Sequence, residues 1–235
     1  MSLMFKTPSI PDSIRRLKPP LNFVNPLQIG IDGPNLFGTE TLCGDWDGDL
    51  LLLAQDFAPA DEVRAVLKKH GSEGAWRHND GDGRYGIGMI TNENICNHLG
   101  SIGRNIDLSG RKSFDSGVLY GNASFFLKEG NVPPTKGVRA SAPVFQFVTD
   151  NMRNLKVVAC LGKPAFEGVM GWLSSSADWR THMNTRKPVR YGQLSVFALA
   201  HPGQLGINGR LPSAIYSERL AAIAADWRAV GKALN

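Results

Sequence analysis

Short apolar runs alternate with helix-spaced apolar positions along most of the chain. Asp49-Leu-Leu-Leu-Leu-Ala54 is unbroken and ends in Gln55-Asp56, and an apolar run of that length bounded by polar residues predicts a strand buried on both faces. Residues 61–70 open with Asp61 and Glu62, close with Lys68 and Lys69, and put Val63, Val66 and Leu67 on one side. Charges that match the helix dipole, with an apolar stripe, predict a helix that Gly71 stops. A second helix is expected over 91–106, capped by Thr91 or Asn92, with Ile95, Leu99 and Ile102 in register. Further strands are expected at 116–122, 156–161 and 195–200. The second of these leads through Gly162 to Pro164, a residue suited to a helix's first turn, and the third runs straight into His201-Pro202. Leu220, Ile223, Trp227, Val230 and Leu234 repeat at 3-4-3-4 spacing and predict a final helix.

This alternation predicts an α/β fold: a three-layer α/β/α sandwich around a central, mostly parallel four-stranded sheet. At 235 residues one core is expected. Residues 1–35 contain Pro8, Pro11, Pro19, Pro20, Pro26 and Pro34 and are expected to resist regular structure and wrap the surface as an arm. Residues 36–235 form the single domain.

Composition narrows the function classes. With 42% hydrophobic and 20% charged residues the chain reads as an ordinary globular protein. Its longest apolar run, Leu220–Ala225, is six residues, against the ~20 that a membrane-spanning helix requires. The opening MSLMFKTPSIPDSIRR has no continuous apolar stretch, so no secretory leader and no membrane partner are expected, and the cytoplasm (the nucleoid, in a bacterium) is the expected location. Cys43, Cys96 and Cys160 are odd in number and lack two-residue gaps, which suits free thiols in a reducing compartment. Asp45, Asp47 and Asp49 alternate as in a calcium loop, but position 56 is Asp where the twelfth-position Glu would stand, so a solvated turn is expected and no metal or other cofactor. Net charge is +5, with an isoelectric point near 9.2. That permits a polyanionic partner, whose contacts must come from a folded surface because the basic residues are dispersed.

In open α/β sheets ligands bind beyond the carboxyl ends of the strands. The residues there are Gln55-Asp56-Phe57, Asn122-Ala123-Ser124, Gly162-Lys163 and His201-Pro202-Gly203-Gln204-Leu205. Singly, Asp56 reads as a turn former or cap, Asn122 as a turn residue and His201 as structural. Jointly, an Asp, an Asn and a His at three strand ends form a set that can activate water, read an amide-like edge and donate to a developing anion.

The series Ala54-Gln-Asp-Phe-Ala-Pro59, Leu119-Tyr-Gly-Asn122, Leu161-Gly-Lys-Pro-Ala165 and His201-Pro-Gly-Gln-Leu-Gly206 resembles the uracil-DNA glycosylase superfamily. The nearest likeness is to the branch whose motifs read Gly-Gln-Asp-Pro-Tyr-His, Leu-Leu-Leu-Asn, Leu-Trp-Gly-Ser-Tyr-Ala and His-Pro-Ser-Pro-Leu-Ser. The order agrees, and the likeness spans residues 49–211, about two thirds of the chain. It implies a monofunctional, monomeric N-glycosidase that flips uracil or a related pyrimidine out of single- or double-stranded DNA and hydrolyses its glycosidic bond in base excision repair. By the same resemblance Asp56 and His201 would be catalytic. Gln55, Phe57, Ala58 and Asn122 would line the base site, with Asn122 reading O4 and N3–H through an amide that offers donor and acceptor together. Gly162, Lys163, Gly203 and Gln204 would meet the DNA backbone, and Leu205 would fill the vacated stack.

Departures from the pattern bear on substrate. Ala58 stands where that branch has Tyr, Lys163 where it has Ser, and Gly203-Gln204 where it has Ser-Pro. The loop Asn79–Arg84 is turn-rich and a candidate for the site's entrance. Two other classes remain in view: a DNA-binding module without catalysis, and a hydrolase of free nucleosides. No Gly-x-Ser-x-Gly elbow or phosphate-cradling P-loop is present. On the glycosylase reading, nothing bulky at position 58 guards C5 of the pyrimidine, and one methyl group is worth only ~1–3 kcal/mol even in a tight pocket. Single-turnover rates on uracil and 5-methyluracil in single-stranded DNA should therefore lie close together, and Ala58→Tyr should separate them while preserving uracil removal.

Overall fold

The computed structural model describes residues 8–30, 42–56, 59–74, 89–106 and 116–235. Its elements run α1 (Asp12–Arg15), β1 (Phe23–Val24), a 3-10 turn (Pro26–Ile29), β2 (Leu42–Gly44), β3 (Leu50–Ala54), α2 (Ala60–Gly74), α3 (Met89–Gly100), β4 (Val118–Asn122) and β5 (Leu127–Lys128). There follow α4 (Thr135–Ala140), α5 (Ala142–Asn151), β6 (Val157–Leu161), α6 (Lys163–Trp172), α7 (Trp179–Thr185), β7 (Val189–Tyr191), β8 (Leu194–Leu199), α8 (Gln204–Arg210) and α9 (Tyr216–Leu234). Among the described residues no helix is long and apolar enough to cross a membrane.

The fold is α/β with a mostly parallel sheet, in the order β2-β4-β3-β6-β8-β7. The four inner strands are parallel and are the four expected ones. Among the described residues the sheet is six strands wide rather than four, because β2 and β7 add antiparallel edges. Each edge strand has three residues, too few to show a period in the sequence. What aligns β7 is the two-residue turn Gly192-Gln193, where Gly192 adopts φ +57°, a conformation that costs glycine little.

Every residue of β3 and β6 is buried, which requires cover on both faces. Leu51 and Leu53 share one face and line a small gap of about 20 Å³ with Phe145 and Val148 of α5 and Trp172 of α6. Leu50 and Leu52 point the other way and are equally buried. That side belongs to α3 and α9, which join through the stacked rings of His98 and Trp227.

Helix bounds shift for identifiable reasons. α2 runs through Gly71 to Gly74, since a helical glycine costs only about 1 kcal/mol relative to alanine and no proline follows to break the chain. α3 begins at Met89, so neither Thr91 nor Asn92 caps it, and ends at Gly100. Beyond it Gly103 turns to φ +73°, which stops the helix short of Ile106.

The proline-rich segment is ordered over 8–30 and joins the core. Ile14 and Phe23 are buried, and β1 pairs with β5, Phe23 opposite Lys128. Prolines remove N–H donors, and buried Asn25 compensates: its Nδ2 donates to the carbonyls of Arg15 (3.0 Å) and Leu17 (2.9 Å), and its Oδ1 accepts from Leu27 N–H (2.9 Å). The Asp45–Asp49 turn is likewise bonded rather than solvated. Asp45 is buried and accepts from the N–H groups of Asp47 and Gly117 at 2.9 Å each. Asp49 pairs with Arg104 at 2.9 Å.

A buried ionic cluster ties α8 to the body of the domain. Arg210 and Asp226 are 2% and 3% exposed, with Nε donating to Oδ2 at 2.6 Å and Nη2 to Oδ1 at 2.9 Å. Arg210 Nη2 also donates to the Met183 carbonyl at 3.1 Å, and Arg186 Nε reaches Asp226 Oδ1 at 3.0 Å. Removing one partner strands a buried charge, which costs about 3–5 kcal/mol, whereas replacing both with apolar residues is far less costly. Asp226→Ala should lower the urea-unfolding free energy by that amount, and the double variant Arg210→Met/Asp226→Leu should recover most of it.

Candidate active site

The parallel register brings the sequence-predicted residues to one edge in the order Asn122 (β4), Asp56 (β3), Gly162 (β6) and His201 (β8). Asn122 is opposite Ala54, Leu52 is opposite Ala159, and Leu161 is opposite Leu199. These residues share a face; Asp56 and His201 follow two positions past Ala54 and Leu199, and the Asp56 carboxylate acts on the His201 ring. The ladder continues past the strand ends: Ala123 N–H donates to the Ala54 carbonyl at 2.8 Å and Ser124 N–H to that of Gln55 at 3.0 Å. Phe57 and Ala58 lie outside the described residues, as does the Asn79–Arg84 loop.

His201 is half-buried, and its Nδ1 accepts the N–H of Gly203 at 3.0 Å. That bond needs the Nδ1 lone pair, so the ring is neutral and carries its proton on Nε2, a donor with no acceptor among the described residues. Burial pushes the imidazole below its ordinary range, and the Asp56 carboxylate, the one charge among the described residues that acts on it, pulls the other way. The turn is tightly held. A Cβ on Gly206 would collide with the His201 carbonyl, one on Gly203 would crowd the ring and Thr91, and Asn94 Nδ2 donates to the Pro202 carbonyl at 2.7 Å. α3 thus clamps the His201 loop.

Asp56 is 17% exposed at its side chain, and Lys128 Nζ stands 2.7 Å from Oδ2. Oδ2 is buried and makes no hydrogen bond of good angle, so the contact is charge pairing more than a directed bond. Lys128 comes from β5, held by β1 of the proline-rich segment. Sequence reasoning passed it over: a single lysine ending Ala-Ser-Phe-Phe-Leu carries no motif, and its partner lies 72 residues upstream. Asn122 is half-exposed, and no described residue hydrogen-bonds to its side chain.

The phosphate-facing set is more dispersed. Gly162 takes φ +97°, which favours glycine, and a Cβ there would lie 3.0 Å from Gln55 Cδ, so Gln55 packs on the elbow rather than into open space. The Gly162 N–H is spent on the Leu199 carbonyl (2.9 Å) and that of Gly203 on His201, so neither is left for an anion. Lys163 opens α6 at 60% exposure with only a loose 3.5 Å contact to Glu167, which makes its ammonium available. Gln204 donates to Asn208 Oδ1 at 3.2 Å on the surface of α8. Leu205, on the same turn, is 88% exposed.

Compared with protein-family models and with curated proteins, the chain matches none significantly.

The geometry fixes a tautomer and a direction of titration. In ¹H–¹⁵N spectra at neutral pH, His201 should show a protonated Nε2 and a bare Nδ1, with a midpoint below the free-histidine value of about 6.5. Because the unfolded chain then binds a proton that the folded one refuses, stability falls as pH drops from that value toward the folded midpoint. His201→Gln should show less of this loss in urea titrations at pH 7 and pH 5.5.

Proposed function

We propose that the chain is a DNA glycosylase that removes uracil or a related pyrimidine from single- or double-stranded DNA, working as a monomer without a cofactor. The four inner parallel strands, with helices on both faces as a three-layer sandwich, serve as its frame. One observation carries the reading: Asp56, Asn122 and His201 stand at the ends of parallel strands along one sheet edge, and the turn that starts at His201 presents Leu205 to solvent.

Each residue has a step suited to its chemistry. Leu205 enters the stack as the base leaves it, offsetting part of an unstacking cost of a few kcal/mol. Asn122 pairs with the pyrimidine's amide edge, acceptor to donor and donor to acceptor. The bond from C1′ to the base nitrogen then breaks, its electron pair leaving with the base. His201 Nε2–H donates to the base oxygen on which that charge collects, and a neutral donor suffices because the hydrogen bond strengthens as the charge grows. Asp56 supports the positive sugar and takes the proton of the water that attacks C1′. Lys163 meets a backbone phosphate, consistent with the positive net charge.

The ion pair to Lys128 favours a second reading, a module that grips DNA without hydrolysis, since Asp56 is already neutralised. One experiment separates them: labelled oligonucleotides carrying uracil, 5-substituted uracils, mismatched thymine or hypoxanthine, incubated with the protein and cleaved by alkali at abasic sites. Strand breaks support the enzyme; salt-sensitive binding with no breaks supports the module. For the enzyme, Asp56→Asn should lower the single-turnover rate by at least about a hundredfold while Kd for uracil DNA changes little, because the lost charge acts in the transition state.

A further inference from the structure

Asp56 and His201 set an electrostatic problem. A carboxylate beside a half-buried imidazole draws a proton onto the ring, yet Nδ1 is committed to the Gly203 N–H and a protonated ring would lose that bond. The proposed chemistry also needs an anion and a neutral donor side by side. The residues of α3 that pack on the His201 turn offer no charge to offset that anion, since Thr91 and Asn94 are both uncharged. Only Asp56 acts on the ring, and only Lys128 faces Asp56 at ion-pair distance among the described residues.

We infer that Lys128 is a positioning residue of this site, whose ammonium holds and neutralises the Asp56 carboxylate so that an anion and an uncharged imidazole can stand together at one sheet edge. Lys128 is 22% exposed, so water screens the pair weakly. Its neighbour Glu129 does not compete, being paired with Arg64 at 3.2 Å. The ammonium's place is set by the β1–β5 ladder, Phe23 opposite Lys128, and by Glu129 N–H donating to the Asn22 carbonyl at 2.8 Å. The proline-rich segment therefore contributes to the site through this one side chain.

The inference rests on the proposed function for its chemistry, but its test does not. The imidazole midpoint of His201 is followed by NMR, its signal identified among the five histidines by its loss in His201→Gln. Lys128→Met keeps the apolar stem and removes the charge, so the midpoint should rise by about half a pH unit or more. Lys128→Arg should leave it within about 0.2 units, and adding Asp56→Asn to Lys128→Met should cancel the rise. A folded Lys128→Met protein with an unmoved midpoint, or a rise that persists without the Asp56 charge, overturns the inference. A merely structural lysine would not give that pattern. In the activity arm, Lys128→Met should lose uracil removal at the acid end of the pH–rate profile, with kcat affected more than KM. Wild-type protein that releases no uracil but shows the midpoint shifts overturns the glycosylase reading and leaves the role of Lys128 standing.

Discussion

Four parallel strands, the central two buried on both faces, stop at a common edge, and the site follows from that stop. While a strand runs inside the sheet a polar side chain on either face is desolvated and needs a partner, as buried Ser195 of β8 finds in Arg190. β3 and β6 accordingly contain nothing but apolar residues. The first positions that can carry chemistry are those at and just past the strand ends, and adjacent parallel strands put these side by side. Gly162 shows how tight the edge is: its φ of +97° turns β6 into α6 in one residue, in contact with Gln55 from the neighbouring strand.

The edge alone does not settle the charge state of what stands there. His201 is kept neutral by three separate features. Burial disfavours the imidazolium, the Gly203 N–H occupies Nδ1, and Lys128 opposes the one nearby charge that would protonate it. These come from three parts of the chain: the β8–α8 turn clamped by α3, the β5 strand, and the β1 strand that aligns it. The site thus depends on a segment whose prolines suggested a mere covering arm.

Periodicity made the frame legible. The four inner strands, the proline-started α6 and the buried stripe of α9 at Ile223, Trp227, Val230 and Leu234 are where the sequence put them. Leu220 departs from that stripe and is exposed. What escaped was of two kinds. β2, β7, β1 and β5 are two or three residues long, and such strands exist only because a partner is already in place. Lys128 and Arg210 escaped because an ion pair between distant positions leaves no local trace. The acids of the Asp45–Asp49 turn were legible as a turn but not as buried, since their partners Gly117 and Arg104 come from elsewhere in the chain.

Leu205 poses the remaining energetic question. Leaving a leucine side chain in water forgoes about 1.5–3 kcal/mol of burial, and α8, at seven residues, is too short to be stable on its own. Its stability is supplied at the far end, where Arg210 locks onto Asp226, and along the following loop, where Arg219 donates to the carbonyls of Leu211 and Pro212 and to Asn208. The exposed leucine therefore rides on an anchored turn rather than a loose one. For a side chain that inserts into a base stack, that arrangement is economical. The ordering entropy is spent during folding and not at the moment of binding, and the apolar surface left exposed in the free protein is the surface that gains on insertion. The same anchored turn carries His201 four residues earlier, so on the proposed reading the element that displaces the base also presents the donor that receives it.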